Sequence, residues 1–285
     1  MKNIIDFFKG LFMGAACAVP GIPNSIFRGK FNKGNRKNFI FMPIALGFAV
    51  GLLLISNVIS WVCEFYTGPA YALFTGLMLG SVPMLINKIR KSGFYPSYLI
   101  FSAFFAVLIV FISILSNDYS AAFPEFAAIK AISGIKDAAV IFTGGMFFCS
   151  LPVISGISGS GLLLSLNQYG NVFYAFSNIF SKPDCIPVII IFISGSLTGF
   201  LVVMKFLEWV REKYLYITYY IAAGVIIGGV FSLLYNGLLN FYAGVWYVSD
   251  IIAQSLIFAG FAALGFLIVR RLIISNKSVR SDFRG

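Results

Sequence analysis

The sequence predicts an all-α polytopic membrane protein, an inverted repeat of one re-entrant hairpin plus three transmembrane helices, with six full spans in total. Three observations support this fold class. Hydrophobic residues make up 59% of the 285-residue chain and charged residues only 11%. The second half of the chain repeats a pattern of the first, and the positive charges fall into alternate connecting segments. Uncharged runs of about twenty residues exclude a soluble fold.

In chain order, an apolar segment at residues 4–27 predicts a first, shortened hairpin. Three spans of about twenty residues each are expected at 39–62, 68–87 and 96–116. A longer hairpin at 138–181 follows, and then spans at 186–208, 216–236 and 250–270. The chain therefore divides into repeat 1 (1–117), an extracellular connection (118–137), repeat 2 (138–275) and a cytoplasmic tail (276–285).

The longer hairpin is predicted from Ala138–Ser181, forty-four residues without a charge that are interrupted at Ser155–Gly161. The limb before the interruption, Ala138–Ile154, reaches roughly 25 Å at ~1.5 Å per residue, less than a ~30 Å hydrocarbon core. The chain is therefore expected to turn back inside the membrane. Glycine and serine at such a turn leave amide and hydroxyl donors available to a ligand.

The duplication is visible when the chain is compared with itself. An offset of 148 aligns residues 47–85 with 195–233, with twelve identities in thirty-nine ungapped positions, including a tryptophan and four glycines. An offset of 135 aligns the first hairpin with the second through four further identities. Because the offsets differ by thirteen, the first hairpin lacks most of its returning limb, and a basic strip at 27–37 takes its place. Three spans per repeat invert the second copy.

The charge distribution agrees with this topology. With a cytoplasmic N-terminus, seventeen lysines and arginines fall on the inside, in segments 2–9, 28–37, 88–91, 211–213 and 270–284. Only Lys130, Lys136 and Lys182 fall outside, and Lys205 lies near a helix end. This asymmetry follows the positive-inside rule and predicts that both termini are cytoplasmic. It also explains the net charge of +11 without nucleic acid. The four cysteines form no close pair and histidine is absent, so neither a metal site nor a cofactor is expected.

The hairpin motifs resemble a known family. Pro20-Gly21-Ile22 and Ser155-Gly156-Ile157-Ser158-Gly159-Ser160, with Tyr169 following, are similar to the paired Pro-Gly-Val-Ser-Gly-Gly-Thr and Pro-Gly-Ile-Ser-Gly-Ser signatures of the PopT-type undecaprenyl-phosphate translocases. These are bacterial polyprenyl-phosphate transporters. The chain departs from the pattern at Cys17, where the family usually has Asp, and at Ser155, which replaces proline.

The resemblance implies a membrane transporter, not an enzyme. It would return undecaprenyl phosphate, or a related polyprenyl phosphate, from the outer to the inner leaflet of the bacterial cytoplasmic membrane for reuse as a lipid carrier. Anionic membrane lipids are further expected partners, and a homo-oligomer is left open. The second turn is expected to hold the phosphate through amides and hydroxyls, because such donors at helix ends bind anions. The expected substrate-binding residues are Pro20, Gly21, Asn24, Ser25, Ser155, Gly156, Ser158, Gly159, Ser160 and Tyr169, with Arg28 and Lys30 as further phosphate ligands.

The hairpin turns also bear on an enzymatic alternative. An undecaprenyl-diphosphate phosphatase would need arginine, acidic or histidine side chains in the hairpin turns, and neither turn has them. No catalytic residue is therefore assigned. A transporter or channel for another anionic small molecule or ion stays open, as does an inactive or regulatory homologue. Small residues that merely allow close helix packing are the structural alternative to a binding site.

Overall fold

The structure, a computed structural model, describes residues 2–22, 41–93, 95–116, 132, 134–154, 159–166, 168–213, 215–242 and 248–275. Within these ranges all regular secondary structure is helical. The α-helices are α1 (Lys2–Ala18), α2 (Phe41–Phe65), α3 (Thr67–Ser92), α4 (Leu99–Ser116), α5 (Ile135–Ile154), α6 (Ser160–Ser165), α7 (Tyr169–Ser177), α8 (Cys185–Lys213), α9 (Leu215–Tyr242) and α10 (Val248–Ser275). A short 3₁₀ helix, Pro96–Tyr98, precedes α4.

Four of the described helices are long and apolar enough to cross a membrane by length and composition: Met42–Phe65, Gly68–Lys91, Cys185–Val202 and Ile252–Ser275. Two shorter apolar stretches, Pro96–Phe111 and Tyr219–Tyr235, lie where the third and fifth spans are predicted. Many large apolar side chains on these helices are exposed, such as Ile100 and Leu256. An apolar exterior of this kind is typical of lipid contact, and the prediction of an all-helical fold is confirmed for the described residues. The count of six spans stays a prediction.

The helix that opens each half, α1 or α5, packs through glycines against the first predicted span of that half, α2 or α8. A Cβ atom added to Gly10 of α1 would lie 2.2 Å from the Ile44 carbonyl oxygen, and one added to Gly47 would lie 2.1 Å from the Phe7 oxygen. In the second half, the same holds for Gly145 against Phe192, at 2.4 Å, and for Gly195 against Phe142, at 2.1 Å. These contacts join residues that the offsets of 135 and 148 make equivalent, so α1–α2 and α5–α8 are matching pairs.

The remaining long helices pair across the two halves. Gly76 of α3 contacts Ala262 of α10, and its equivalent Gly224 of α9 contacts Ser102 of α4. One turn later, Gly80 contacts Phe266 and Gly228 contacts Ala106. The contacted residues correspond at a third offset, of 160, which comparison of the sequence with itself does not reveal. In each pair the contacts advance together along the two helices, so α3 is parallel to α10 and α4 is parallel to α9.

Helices α3 and α9, which carry Gly76 and Gly224, contact each other and run in opposite directions. The Lys88 ammonium, near the C-terminal end of α3, lies 5.8 Å from the ring centroid of Tyr219, near the start of α9. The Tyr95 amide, in the connection after α3, donates a hydrogen bond to the Tyr220 hydroxyl at 2.9 Å. Since α3 ends where α9 begins, these repeat-equivalent helices run antiparallel along their contact. Helix α3 therefore contacts both α9 and α10.

Candidate functional site

The first hairpin turn lies against the middle of α3. Helix α1 ends at Ala18, and Pro20 and Gly21 in the turn that follows are buried. Gly21 has φ +80°, a conformation that side chains with a Cβ rarely adopt. A Cβ there would also lie 2.4 Å from the Leu77 carbonyl carbon and 2.6 Å from the Met78 nitrogen. Glycine is therefore required at this position, both for the turn and for its contact with α3.

The second hairpin turns back along its own first limb. A Cβ on Gly159 would lie 2.3 Å from the Phe148 carbonyl oxygen, and one on Gly144 would lie 2.8 Å from the Leu163 side chain. The contacts run in opposite directions along α5 and α6, so α6 is antiparallel to α5. The amides of Leu162 and Leu163 donate to the Gly159 carbonyl at 3.1 and 3.4 Å and so begin α6.

Met78 connects the two turns. The Met78 backbone contacts Gly21, and the Met78 side chain packs against Gly161 of α6, where a Cβ would lie 2.9 Å from the Met78 sulfur. Met78 is 4% exposed, and its carbonyl accepts a hydrogen bond from the Ser81 hydroxyl at 2.6 Å. The ends of both hairpins therefore lie on one turn of α3. We call this place the hairpin junction, defined by Gly21, Met78 and Gly161 with their immediate neighbours.

Tyr169 joins the hairpins a second time. It is fully buried, and its hydroxyl donates a hydrogen bond to the Ala18 carbonyl at 3.0 Å. Its ring lies 5.5 Å from the Phe74 ring of α3 and 4.4 Å from the Phe173 ring of α7, measured between centroids. The last four carbonyls of a helix lack a partner inside that helix, and Tyr169 satisfies one of these for α1. In this state the hydroxyl holds the first hairpin in place.

The structure thus brings together five of the predicted binding residues: Pro20, Gly21, Gly159, Ser160 and Tyr169. Ser160 is fully buried at the start of α6. Asn24, Ser25, Ser155, Gly156, Ser158, Arg28 and Lys30 lie outside the described residues. The assignment of all twelve to substrate binding stays a prediction.

Two features of the junction are not apparent from the motifs. Met78 lies between Gly76 and Gly80, where the spacing of small residues indicates only close helix packing. The second is that the returning limb is divided into two helices, because α6 ends at Ser165 and α7 begins at Tyr169. The polar pair Asn167-Gln168 within an apolar run is the signal that could have revealed it, because asparagine favours turns over helix interiors. The first limb also differs from the prediction: α5 begins at Ile135, three residues before the uncharged stretch.

The electrostatics of the described junction come from dipoles, since Pro20, Gly21, Met78, Ser160 and Tyr169 carry no charge at neutral pH. An anion here would be bound through N–H and O–H groups. The nearest ion pair on α1, Lys9 with Asp6 at 2.8 Å, lies three helical turns before the first hairpin turn. Among the described residues there is no group of histidine, cysteine, aspartate or glutamate that could hold a metal ion.

Comparisons with known proteins show what the chain is similar to. The sequence model of a family described as undecaprenyl phosphate translocase-like matches residues 17–239. The chain is 26% identical over 266 residues to a protein of Staphylococcus aureus (strain NCTC 8325 / PS 47) named polyprenyl-phosphate transporter, covering 87% of this chain and 91% of the relative. It is 25% identical over 257 residues to a protein of the same name from Vibrio cholerae serotype O1 (strain ATCC 39315 / El Tor Inaba N16961), covering 80% of this chain and 76% of the relative. No solved structure matches the chain.

Proposed function

Because this chain belongs to the undecaprenyl phosphate translocase-like family, we propose that it translocates undecaprenyl phosphate, or a related polyprenyl phosphate, across the bacterial cytoplasmic membrane. The family resemblance predicted from the hairpin motifs is confirmed. The proposed direction is from the outer to the inner leaflet, which returns the lipid carrier for reuse. Both curated relatives are named for polyprenyl-phosphate transport, and they align over most of the chain.

The observation that carries the proposal is the hairpin junction. The two hairpins, one from each half of the chain, meet at Met78: Gly21 approaches the α3 backbone there too closely for any side chain, and Gly161 lies against the Met78 side chain. Interrupted helices that meet between repeats are the usual substrate site of secondary transporters. Backbone amides of the second turn would hold the phosphate, and the prenyl chain would lie in the surrounding lipid. The chemistry required is recognition of a phosphate monoester without bond making.

An inverted repeat would let such a site open to either side of the membrane. The antiparallel contact of α3 with α9 supports this architecture, because these helices are equivalent in sequence. The matched pairs α1–α2 with α5–α8, and α3–α10 with α9–α4, support it further. Two similar halves of opposite orientation can exchange inward-facing and outward-facing arrangements at a small difference in free energy.

The experiment that tests this function compares the binding of undecaprenyl phosphate, undecaprenol and a short-chain prenyl phosphate to the purified full-length protein. We expect undecaprenyl phosphate to bind at least roughly tenfold more tightly than undecaprenol, because a charged phosphate adds charge-assisted hydrogen bonds. The short-chain phosphate should bind weakly because it buries less apolar surface. Equal affinity for undecaprenyl phosphate and undecaprenol would contradict the proposal.

A further inference from the structure

A second group of polar side chains lies at the end of α7 away from the hairpin junction. The Lys182 ammonium donates a hydrogen bond to the Tyr174 hydroxyl at 2.7 Å and lies 5.2 Å from the centroid of its ring. Three residues along the same helix, the Ser177 hydroxyl donates to the Asn57 side-chain oxygen of α2 at 2.8 Å. Residues three apart share a helix face, so the two pairs are neighbours.

The turn after α7 fixes the position of Lys182. The Asn178 side-chain amide donates to the Tyr174 carbonyl at 3.1 Å. The Lys182 amide donates to the Asn178 carbonyl at 3.0 Å, and the Cys185 amide donates to the Lys182 carbonyl at 3.2 Å. The backbone on both sides of Lys182 is therefore hydrogen-bonded, while the Lys182 side chain is exposed to the surroundings. The hydrogen bond with Tyr174 raises the pKa of Lys182, so its ammonium is charged at neutral pH.

An apolar surface adjoins these donors. Asn57 is exposed on α2, and the neighbouring Leu54, Val58 and Trp61 on the same helix are each more than half exposed. Phe180, in the turn before Lys182, is 92% exposed. Polar donors beside an exposed apolar surface fit an amphipathic occupant with an anionic head and a hydrocarbon tail. A lipid could approach such a surface sideways from the bilayer.

The charge of the occupant follows from the groups present. The Lys182 ammonium and the Tyr174 and Ser177 hydroxyls can donate hydrogen bonds, and a phosphate monoester accepts them from several directions. The Asn57 side-chain amide donates to the Leu53 carbonyl at 3.1 Å, so the role of Asn57 is to position Ser177. Asp184 is the nearest acid in the sequence, and it interacts electrostatically with Lys182. The charge distribution predicts that this end of the molecule faces outside, where Lys182 is one of three cations. On that predicted topology, the group would be accessible to a lipid phosphate in the outer leaflet.

Resting on the proposed function, we propose that Lys182, Tyr174, Ser177 and Asn57 form an outer capture site for the phosphate headgroup of the transported lipid, distinct from the hairpin junction. The phosphate takes the place of the Tyr174 hydroxyl as the acceptor for Lys182, and the Tyr174 and Ser177 hydroxyls turn to donate to it. The prenyl chain lies along Leu54, Val58 and Trp61. From this site α7 leads back to Tyr169 and the junction.

The test measures undecaprenyl phosphate binding by the full-length protein and its Lys182→Gln variant, with undecaprenol and inorganic phosphate as comparison ligands. We expect Lys182→Gln to weaken undecaprenyl phosphate binding roughly tenfold, the usual scale for one charge-assisted hydrogen bond, without changing the melting temperature. Lys182→Arg should restore most of the affinity. Lys136→Gln is the matched control, because it removes an exposed lysine from the same predicted side, and it should leave binding unchanged. Ser177→Ala should weaken binding less than Lys182→Gln.

The outcomes separate this inference from the proposed function. If the unaltered protein binds undecaprenyl phosphate selectively and Lys182→Gln binds it equally well, the capture site is wrong and the proposed function stands. If Lys182→Gln lowers undecaprenol binding by the same factor, the lysine acts on the fold or the tail, and the capture site is again wrong. If inorganic phosphate binds as tightly as undecaprenyl phosphate, the site recognises a free anion, and the proposal that it captures a lipid headgroup is wrong. If the unaltered protein does not prefer the phosphorylated lipid, both proposals fail.

Discussion

Removal of one hydroxyl tests whether the two hairpins are held together as the structure indicates. Tyr169→Phe deletes the hydrogen bond to the Ala18 carbonyl and keeps the ring contacts with Phe74 and Phe173. Ala18 is fully buried, so its carbonyl cannot recover the bond from water. A buried acceptor without a partner costs about 1–3 kcal/mol. We therefore expect the free energy of unfolding to fall by about 2 kcal/mol, a factor of roughly 30 in the ratio of folded to unfolded protein.

The assay is denaturant unfolding of the detergent-solubilised protein followed by tryptophan fluorescence. Tyr66→Phe is the matched control, because Tyr66 is 57% exposed and surface substitutions usually change stability by less than about 0.5 kcal/mol. Equal stability of the Tyr169→Phe and Tyr66→Phe proteins would refute the reasoning. If the Tyr169 hydroxyl contacts the phosphate directly, undecaprenyl phosphate binding would fall at unchanged stability.

Three further predictions concern the turns and the repeat. Gly159→Ala should force α6 away from the Phe148 carbonyl and so abolish undecaprenyl phosphate binding in a protein that still inserts; retained binding would remove Gly159 from the site. Gly47→Ala and Gly195→Ala should lower the free energy of unfolding by similar amounts, about 1–3 kcal/mol each, because the added methyl groups overpack the helix contacts. Denaturant unfolding measures both values, and very different losses would argue against matched packing. Single cysteines at Ser92 and Asn240, in a background without the four native cysteines, should react with impermeant reagents from opposite sides of the membrane; labelling from one side would end the inverted-repeat proposal.

The control for the glycine variants is Gly260→Ala on α10. A Cβ at Gly260 meets no atom within 4 Å. Alanine is favoured over glycine in a helix interior by about 1 kcal/mol, so this variant should be as stable as the unaltered protein or slightly more stable. Loss of binding in Gly260→Ala would mean that any added methyl group disturbs the protein, and the Gly159→Ala result would then carry no information on the site.

The helices of this protein could be predicted from its sequence because membrane solvation leaves few alternatives. Long uncharged runs must form helices, and the observed α2, α3 and α8 overlap their predicted positions closely. The offsets of 135 and 148 also predict which glycines are equivalent in the two halves. Gly47 and Gly195 make equivalent contacts because the same close approach of backbones is needed in both halves. The offset of 160 between α4 and α10 cannot be detected from sequence identity. These two helices expose many apolar side chains, and different apolar residues can replace one another on such a surface.

The site could be predicted only in part. Pro20-Gly21 and Gly159-Ser160 are recognisable because glycine is needed at both places, at Gly21 for a positive φ and at Gly159 for close approach to the Phe148 carbonyl. Met78 could not be recognised, since its role depends on which helix lies beneath both turns, and this is decided by long-range packing. The sequence predicts Tyr169 as a ligand-binding residue, and in the structure its hydroxyl donates a hydrogen bond to the Ala18 carbonyl. Charge counting predicts that Lys182 lies outside, but its contact with Tyr174 depends on the fold of the turn after α7.

The central claim, translocation of a polyprenyl phosphate, is tested most directly in proteoliposomes that contain undecaprenyl phosphate. A phosphatase added outside hydrolyses only the lipid in the outer leaflet unless the protein moves the phosphate across the bilayer. We predict that the unaltered protein and Gly260→Ala allow hydrolysis to go nearly to completion, and that Gly159→Ala stops at the outer-leaflet share. Hydrolysis that stops at the outer-leaflet share with the unaltered, correctly inserted protein would contradict the account.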